Sequence, residues 1–284
     1  MKKHLLSLLA ALLVVFNAGA WEYETPEFEW SVGTDVVTSY LWRGANLGGF
    51  ALQPDLTIGW GGLEAELWFN ISPADWSFSE MAPELDFLFS YSIAGLKVGF
   101  NHQYYFEKGE KFFDFHRMTA EQYDSEDAKE GYNFNQTEVF AEYNFGEIFE
   151  DVPLTLGWYT YVAGDDAYID DEGKLKQAFS TYISLTYDWE ALEGFTVSPT
   201  LAVTPWRSTY NYYEGKFSVA NLGIKLNWEK ELTDNFSFNV WAEGTMRPFQ
   251  MNKDNLFISP NNTLGLNHED QRLNGAIGVG FYFY

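Results

Sequence analysis

The chain has 284 residues, 17 Lys and Arg against 41 Asp and Glu for a net charge of −24, 19% aromatic residues and no cysteine. After residue 20 no apolar run reaches the ~20 residues that a membrane-spanning helix needs, which excludes a helical transporter, and the acidity excludes a chain that must displace counterions from nucleic acid. Without Cys there is no disulfide, thiol nucleophile or Cys-type metal site, and so high an aromatic content argues against disorder.

Lys2 and Lys3 precede an apolar run from Leu5 to Phe16, and Ala18-Gly19-Ala20 places small residues where a signal peptidase reads. Residues 1–20 are therefore expected to be a cleaved secretory signal and residues 21–284 a single exported domain. Losing the two lysines takes its net charge to −26, with 15 basic against 41 acidic residues.

The first mature segment alternates. Phe28, Trp30, Val32, Thr34, Val36, Thr38, Tyr40 and Trp42 share one parity, and Glu29, Ser31, Gly33, Asp35, Val37, Ser39, Leu41 and Arg43 the other. A period of two is a strand with one apolar and one polar face. Aromatics at both ends of the apolar face with β-branched residues between them suit a bilayer, where rings settle at the headgroups and aliphatics meet the tails.

The same pattern recurs from Phe50 to Trp60, Leu63 to Ile71, Leu85 to Ile93, Leu96 to Tyr104, Thr137 to Phe145, Leu154 to Val162, Phe179 to Trp189, Phe195 to Val203, Ala220 to Trp228, Phe236 to Ala242 and Leu273 to Phe283, twelve strands in all. Short turns at Gly61-Gly62, Ala94-Gly95, 146–151, 190–194 and 229–235 alternate with longer segments at 44–49, 72–82, 107–131, 164–174, 208–216 and 248–270. The prediction is an all-β, closed, antiparallel transmembrane β-barrel of the outer membrane of a Gram-negative bacterium, with both termini periplasmic, because such barrels keep short turns inside and long loops outside. A soluble β-sandwich also alternates, but on strands of about five or six residues with aliphatic cores.

Thr38-Ser39-Tyr40-Leu41-Trp42-Arg43-Gly44, then Ala51-Leu52-Gln53-Pro54, then Gly62-Leu63 and Trp68, resemble in order and spacing the opening of the TorF family of porins. The likeness covers residues 32–70, about a seventh of the chain; Leu63-Glu64 stands where the family has an aromatic pair, and Pro54 where many members have Gly. It implies an outer-membrane barrel with a pore function and no particular substrate.

If the apolar parity faces lipid, the other lines a lumen. Its acids are Glu29, Asp35, Asp55, Glu64, Glu66, Glu84, Asp86, Glu138, Glu142, Asp188, Glu229 and Glu243, and its bases Arg43, Lys97, Lys176, Lys225, Arg247 and Arg272. Carboxylate rings favour cations, so the expectation is a cation-preferring pore for passive diffusion of small solutes, unlike basic twelve-stranded channels for acidic oligosaccharides. The alternative is a lumen plugged by charge pairs, with Arg43, Arg247 and Arg272 bridging carboxylates and the protein acting through loops 107–131 and 248–270. Lumenal Trp68, Tyr105, Phe140, Tyr159, Tyr161, Tyr182, Trp206 and Trp241 could stack on sugars, or simply fill volume.

Phe281-Tyr282-Phe283-Tyr284 resembles the aromatic end by which outer-membrane barrels are recognised, so the barrel assembly machinery is an expected partner, beside lipid and lipopolysaccharide. The acidic loop Asp165 to Gly173 offers carboxylates but not calcium-loop spacing, and the stretch Glu121 to Glu130 reads as equally solvated. His102, on the apolar parity, reads as an interfacial ring. No His has a Ser at the spacing of a barrel lipase, and Glu64/Glu66 or Glu138/Glu142 arise from alternation alone, so no enzyme, cofactor or resident metal is predicted.

Overall fold

The structure, a computed structural model, describes residues 26–72, 83–106, 111–116, 134–149, 152–211, 215–248 and 273–284. The expected signal segment, Glu121 to Glu130, Arg272 and most of loop 248–270 lie outside them.

In chain order the strands are β1 (Phe28–Val37), β2 (Tyr40–Trp42), β3 (Ala45–Gly48), β4 (Ala51–Trp60), β5 (Leu63–Asn70), β6 (Glu84–Ile93), β7 (Leu96–Tyr105), β8 (Gln136–Asn144) and β9 (Leu154–Gly164). There follow β10 (Ala167–Ile169), β11 (Leu175–Gln177), β12 (Thr181–Tyr187), β13 (Trp189–Leu192), β14 (Phe195–Thr204), β15 (Ser218–Thr233), β16 (Phe236–Met246) and β17 (Leu273–Phe283). Neighbours pair antiparallel, β17 closes onto β1, and β12 pairs with both β9 and β14, so the ring is complete. β12 and β13 are one wall strand interrupted at Asp188, both pairing with β14; counted so, twelve strands form the wall, as the alternation predicts. β2–β3 and β10–β11 are separate two-stranded hairpins.

The apolar parity faces outward. Along β15, Leu222, Ile224, Leu226 and Trp228 are exposed while Asn221 is buried, and Ile58, Ile224 and Ile277 present 46%, 47% and 57% of their surface. Burying each such side chain is worth about 1.5–3 kcal/mol, and a continuous girdle of them fits hydrocarbon rather than water. Phe28 pairs with Trp60 beside the Gly61-Gly62 turn and Val32 with Phe283, so β1 begins and β17 ends at the short-turn end.

Inside, rings lie flat on glycines of the neighbouring strand. A Cβ at Gly278 would meet Trp241 at 2.3 Å, at Gly33 Tyr282 at 2.4 Å, and at Gly99 Phe140 at 2.8 Å, each across a register pair. Glycine there makes room for a ring against the wall.

Three expectations are corrected. The first wall strand ends at Val37 rather than Arg43. The backbone turns inward at Thr38-Ser39, held by Thr38 N donating to Ile277 O and Thr38 Oγ1 accepting from Ile277 N, both at 2.9 Å. Tyr40 and Trp42 thus enter the lumen instead of facing lipid, Tyr40 against Trp68 (ring centroids 5.5 Å apart) and Trp42 beside Tyr161 and Tyr210. His102 is fully buried, because Phe112, Phe113 and Phe115 fold over it while Thr137 Oγ1, 2.8 Å away, and Phe112 O hold its ring nitrogens. Lys176 lies on the β10–β11 hairpin beside Asp170, and Trp206 follows the end of β14 half exposed, so neither lines the lumen.

Candidate functional site

The central feature of the lumen is the β2–β3 hairpin. Its tip is Arg43-Gly44, with φ of 48° and 84°, the left-handed pair that a two-residue hairpin turn requires. Ala94-Gly95, a turn at the barrel rim, repeats the pair with φ of 48° and 79°. Glycine is needed at position 44 because its φ is positive and a Cβ would meet Asn221 at 2.5 Å. The hairpin root is anchored by Leu41, which packs on Val37, Ala51, Trp241 and Ala276 where β1, β4, β16 and β17 meet. The two alanines leave the space that Leu41 fills.

From that root the tip reaches across the barrel. Arg43 makes a two-pronged ion pair with Glu138 on β8, with Nη2 donating to Oε1 at 2.6 Å and Nη1 donating to Oε2 and to the Tyr210 hydroxyl. The guanidinium carbon lies 4.5, 4.3 and 4.9 Å from the rings of Trp42, Tyr159 and Tyr182, an aromatic box that suits a cation. Gly44 O accepts from Asn274 Nδ2 of β17 at 2.8 Å and Thr245 Oγ1 of β16 at 3.1 Å. The hairpin is therefore stitched to walls that face each other across the lumen.

Arg43 and Glu138 are thus brought together, Arg43 from the hairpin rather than from the wall. Asp35 on β1, Asp55 on β4, and Glu64 and Glu66 on β5 stand on adjacent strands and make one acidic wall. Of these, Asp35 accepts from the Tyr282 hydroxyl at 2.9 Å and Glu64 pairs with Lys97 at 2.7 Å. Glu84 and Asp86 sit apart, buried at the loop end of β6. Glu142 accepts from Tyr159 at 2.6 Å, Glu243 stands opposite Lys225 in register, and Arg247 donates to Tyr210 O at 3.3 Å. Phe281 and Phe283 face outward, Tyr282 points inward, and Tyr284 N donates to Asn235 O at 3.2 Å, so the terminal aromatics also seal the ring.

Beyond the tip, toward the short-turn end, lies a cavity of about 560 Å³. Its lining includes Ser184, Thr186, Thr196, Ser198, Thr200, Asn221, Asn227 and Asn239, with Arg43, Tyr159 and Tyr182 at the hairpin side and Lys225, Asp188 and Glu243 as further charges. A hydroxyl and amide wall therefore faces the acidic one. Tyr210, Thr245 and Asn274 hold the tip, and Asn221 lies against Gly44, yet none is found from the sequence, since alternation assigns a face and not a partner across the barrel. In the outer loop, Asp166 is buried and accepts from Ser180 N at 2.9 Å, Gln177 Nε2 at 3.0 Å and the Ser180 hydroxyl. Burial pushes its carboxyl up to about 6 against the pull of those donors. Asp170 accepts from Glu172 N at 3.0 Å and Lys174 N at 2.8 Å, so these two acids of the loop serve turn geometry.

No family model and no curated protein matches the chain. Among solved structures it is similar to the NanC porin, at 11% identity and a TM-score of 0.44 over 90% of this chain and 100% of that one. It is also similar to the KdgM porin, at 9% identity and a TM-score of 0.38 over 89% and 98%. An outer membrane channel from Pseudomonas putida F1 aligns at 12% identity and a TM-score of 0.38 over 94% and 98%. No residue role passes from these structures to this chain.

Proposed function

We propose that the chain is an outer-membrane channel for passive diffusion of small polar solutes, preferring cations and narrowed by its own β2–β3 hairpin. The observation that carries this reading is the cavity of about 560 Å³ inside a closed barrel, lined by hydroxyls, amides and charges that a packed core would exclude. The wall of Asp35, Asp55, Glu64 and Glu66 supports the preference for cations, since fixed carboxylates enrich them at close range. In this reading residues 1–20 direct export, Phe281 to Tyr284 engage the barrel assembly machinery, and the termini are periplasmic. The TorF resemblance agrees, and its Tyr40 to Gly44 motif falls on the narrowing hairpin.

A second reading is favoured by the hairpin itself. A tip bonded to Glu138, Thr245 and Asn274 is what a plugged structural or surface-binding barrel would have. Planar-bilayer conductance of the refolded protein under a salt gradient separates the two. Discrete steps with a cation-biased reversal potential are expected. Silence from a demonstrably folded barrel rejects the channel and selects the plug.

A further inference from the structure

Glu84 and Asp86 occupy successive inward positions of β6 and are only 3% and 8% exposed. Trp68 is the register partner of Asp86 and Tyr105 that of Glu84, while Tyr40 of the hairpin root covers Trp68 and lies beside the Glu84 carboxyl. Neither acid has an ion pair among the described residues. The next charges in register are Glu138, opposite Asn101, and Arg43, which is committed to Glu138. Asn101 Nδ2 donates to Asp86 Oδ2 at 2.8 Å. Three acceptors remain, Glu84 Oε1, Asp86 Oδ1 and Asn101 Oδ1, all buried and without a hydrogen-bond partner among the described residues.

Buried charges are ordinarily paired or coordinate metals, and a buried acceptor left unsatisfied costs about 1–3 kcal/mol. One proton shared between the carboxyls would serve one oxygen of each acid and leave only Asn101 Oδ1 bare. A cation seated among them would serve all three. Donors that are all oxygen select a hard ion, and two carboxylates select a divalent one. Calcium tolerates an irregular set completed by water, whereas magnesium demands near-ideal octahedral geometry. We propose that Glu84, Asp86 and Asn101 form a calcium site inside the barrel, under the root of the hairpin. Occupancy would steady Tyr40, and with it the hairpin, from the acidic side of the lumen.

Terbium reports such a site, because Tyr40, Trp68 and Tyr105 are placed to sensitise its emission. The detergent-refolded protein should give saturable, aromatic-sensitised terbium emission that excess calcium displaces and magnesium does not. Glu84→Gln with Asp86→Asn should lose that component. Asp171→Asn with Glu172→Gln, in the outer loop, should keep it. Emission unchanged in the first double variant, or none that calcium displaces in the wild-type protein, overturns the site and leaves a proton-sharing acid pair. Should that variant not refold, Asn101→Asp replaces an amide with a third carboxylate. A cation site predicts tighter calcium binding by this variant, and equal or weaker binding overturns it.

Discussion

Replacing Arg43 with alanine removes the cation that, among the described residues, neutralises Glu138, whose side chain is 4% exposed. Breaking a buried ion pair by deleting one partner costs about 3–5 kcal/mol, because the other charge stays buried without compensation. At the tip there remain the two bonds to Gly44 O from Thr245 and Asn274, each worth about 0.5–1.5 kcal/mol, and at the root the apolar seat of Leu41. At about 1.4 kcal/mol per tenfold, the ratio of docked to undocked hairpin should fall by roughly two to four powers of ten. The root stays seated while the tip leaves the lumen, so Arg43→Ala should form a fully folded barrel of larger single-channel conductance. Arg43→Ala with Glu138→Ala removes the stranded charge as well and should recover part of the small conductance, the sign of coupling that a double-mutant cycle isolates. Wild-type conductance from Arg43→Ala, or a double variant no different from the single one, refutes the ion pair as the latch.

Neutralising Asp35, Asp55 and Glu66 together as Asn, Asn and Gln should shift the reversal potential toward zero selectivity while conductance steps persist; an unshifted potential removes those acids from the path. Gly33→Leu should displace the Tyr282 ring and its bond to Asp35, lowering barrel stability by about 1–3 kcal/mol as overpacking does. Urea unfolding in detergent reads this, and an unchanged midpoint sinks it. Asp166 has a folded-state value of about 6 against 3.8 for a free carboxyl, so the folded loop holds its proton more tightly. The contribution to docking of the β10–β11 hairpin is therefore complete below 3.8 and lost as the pH rises through about 6. Limited proteolysis of residues 165–180 should quicken across that window and lose the dependence in Asp166→Asn, and a pH-independent wild-type rate contradicts it.

The wall was legible because its chemistry repeats every second residue. Leu222, Ile224, Leu226 and Trp228 announce their face without any knowledge of neighbours, and the glycines of Gly61-Gly62 and Ala94-Gly95 mark ends by a positive φ that glycine adopts without steric cost. The hairpin was not legible, because Tyr40 and Trp42 continue the alternation of Phe28 to Val36 unbroken. What ends the strand is a backbone turn at Thr38-Ser39, tied to Ile277 far along the chain. The local signal was Arg43-Gly44, the same kind of left-handed pair as the rim turn Ala94-Gly95, but Arg disguises it. His102 is similar: parity put it on the outer face, and only the fold of Phe112 to Phe115 buries it. Likewise, alternation supplied Glu138 as a lumenal acid, yet its pairing with Arg43 depends on how far an inward loop reaches.

The latch also predicts something that a simple obstruction does not. With the hairpin docked, Arg43 and Glu138 cancel, and ion preference is left to the acidic wall. Arg43→Ala frees Glu138 as an extra negative charge in the widened path. Glu138→Gln instead frees Arg43 as a positive one, while removing the same bond. Both single variants should therefore enlarge the conductance, and their reversal potentials should move in opposite directions, toward stronger cation preference for Arg43→Ala and weaker for Glu138→Gln. A hairpin that acts by bulk alone would give two wider channels of equal selectivity. Equal shifts in the two variants would remove the charge pair from the conduction path while leaving the hairpin as its obstruction.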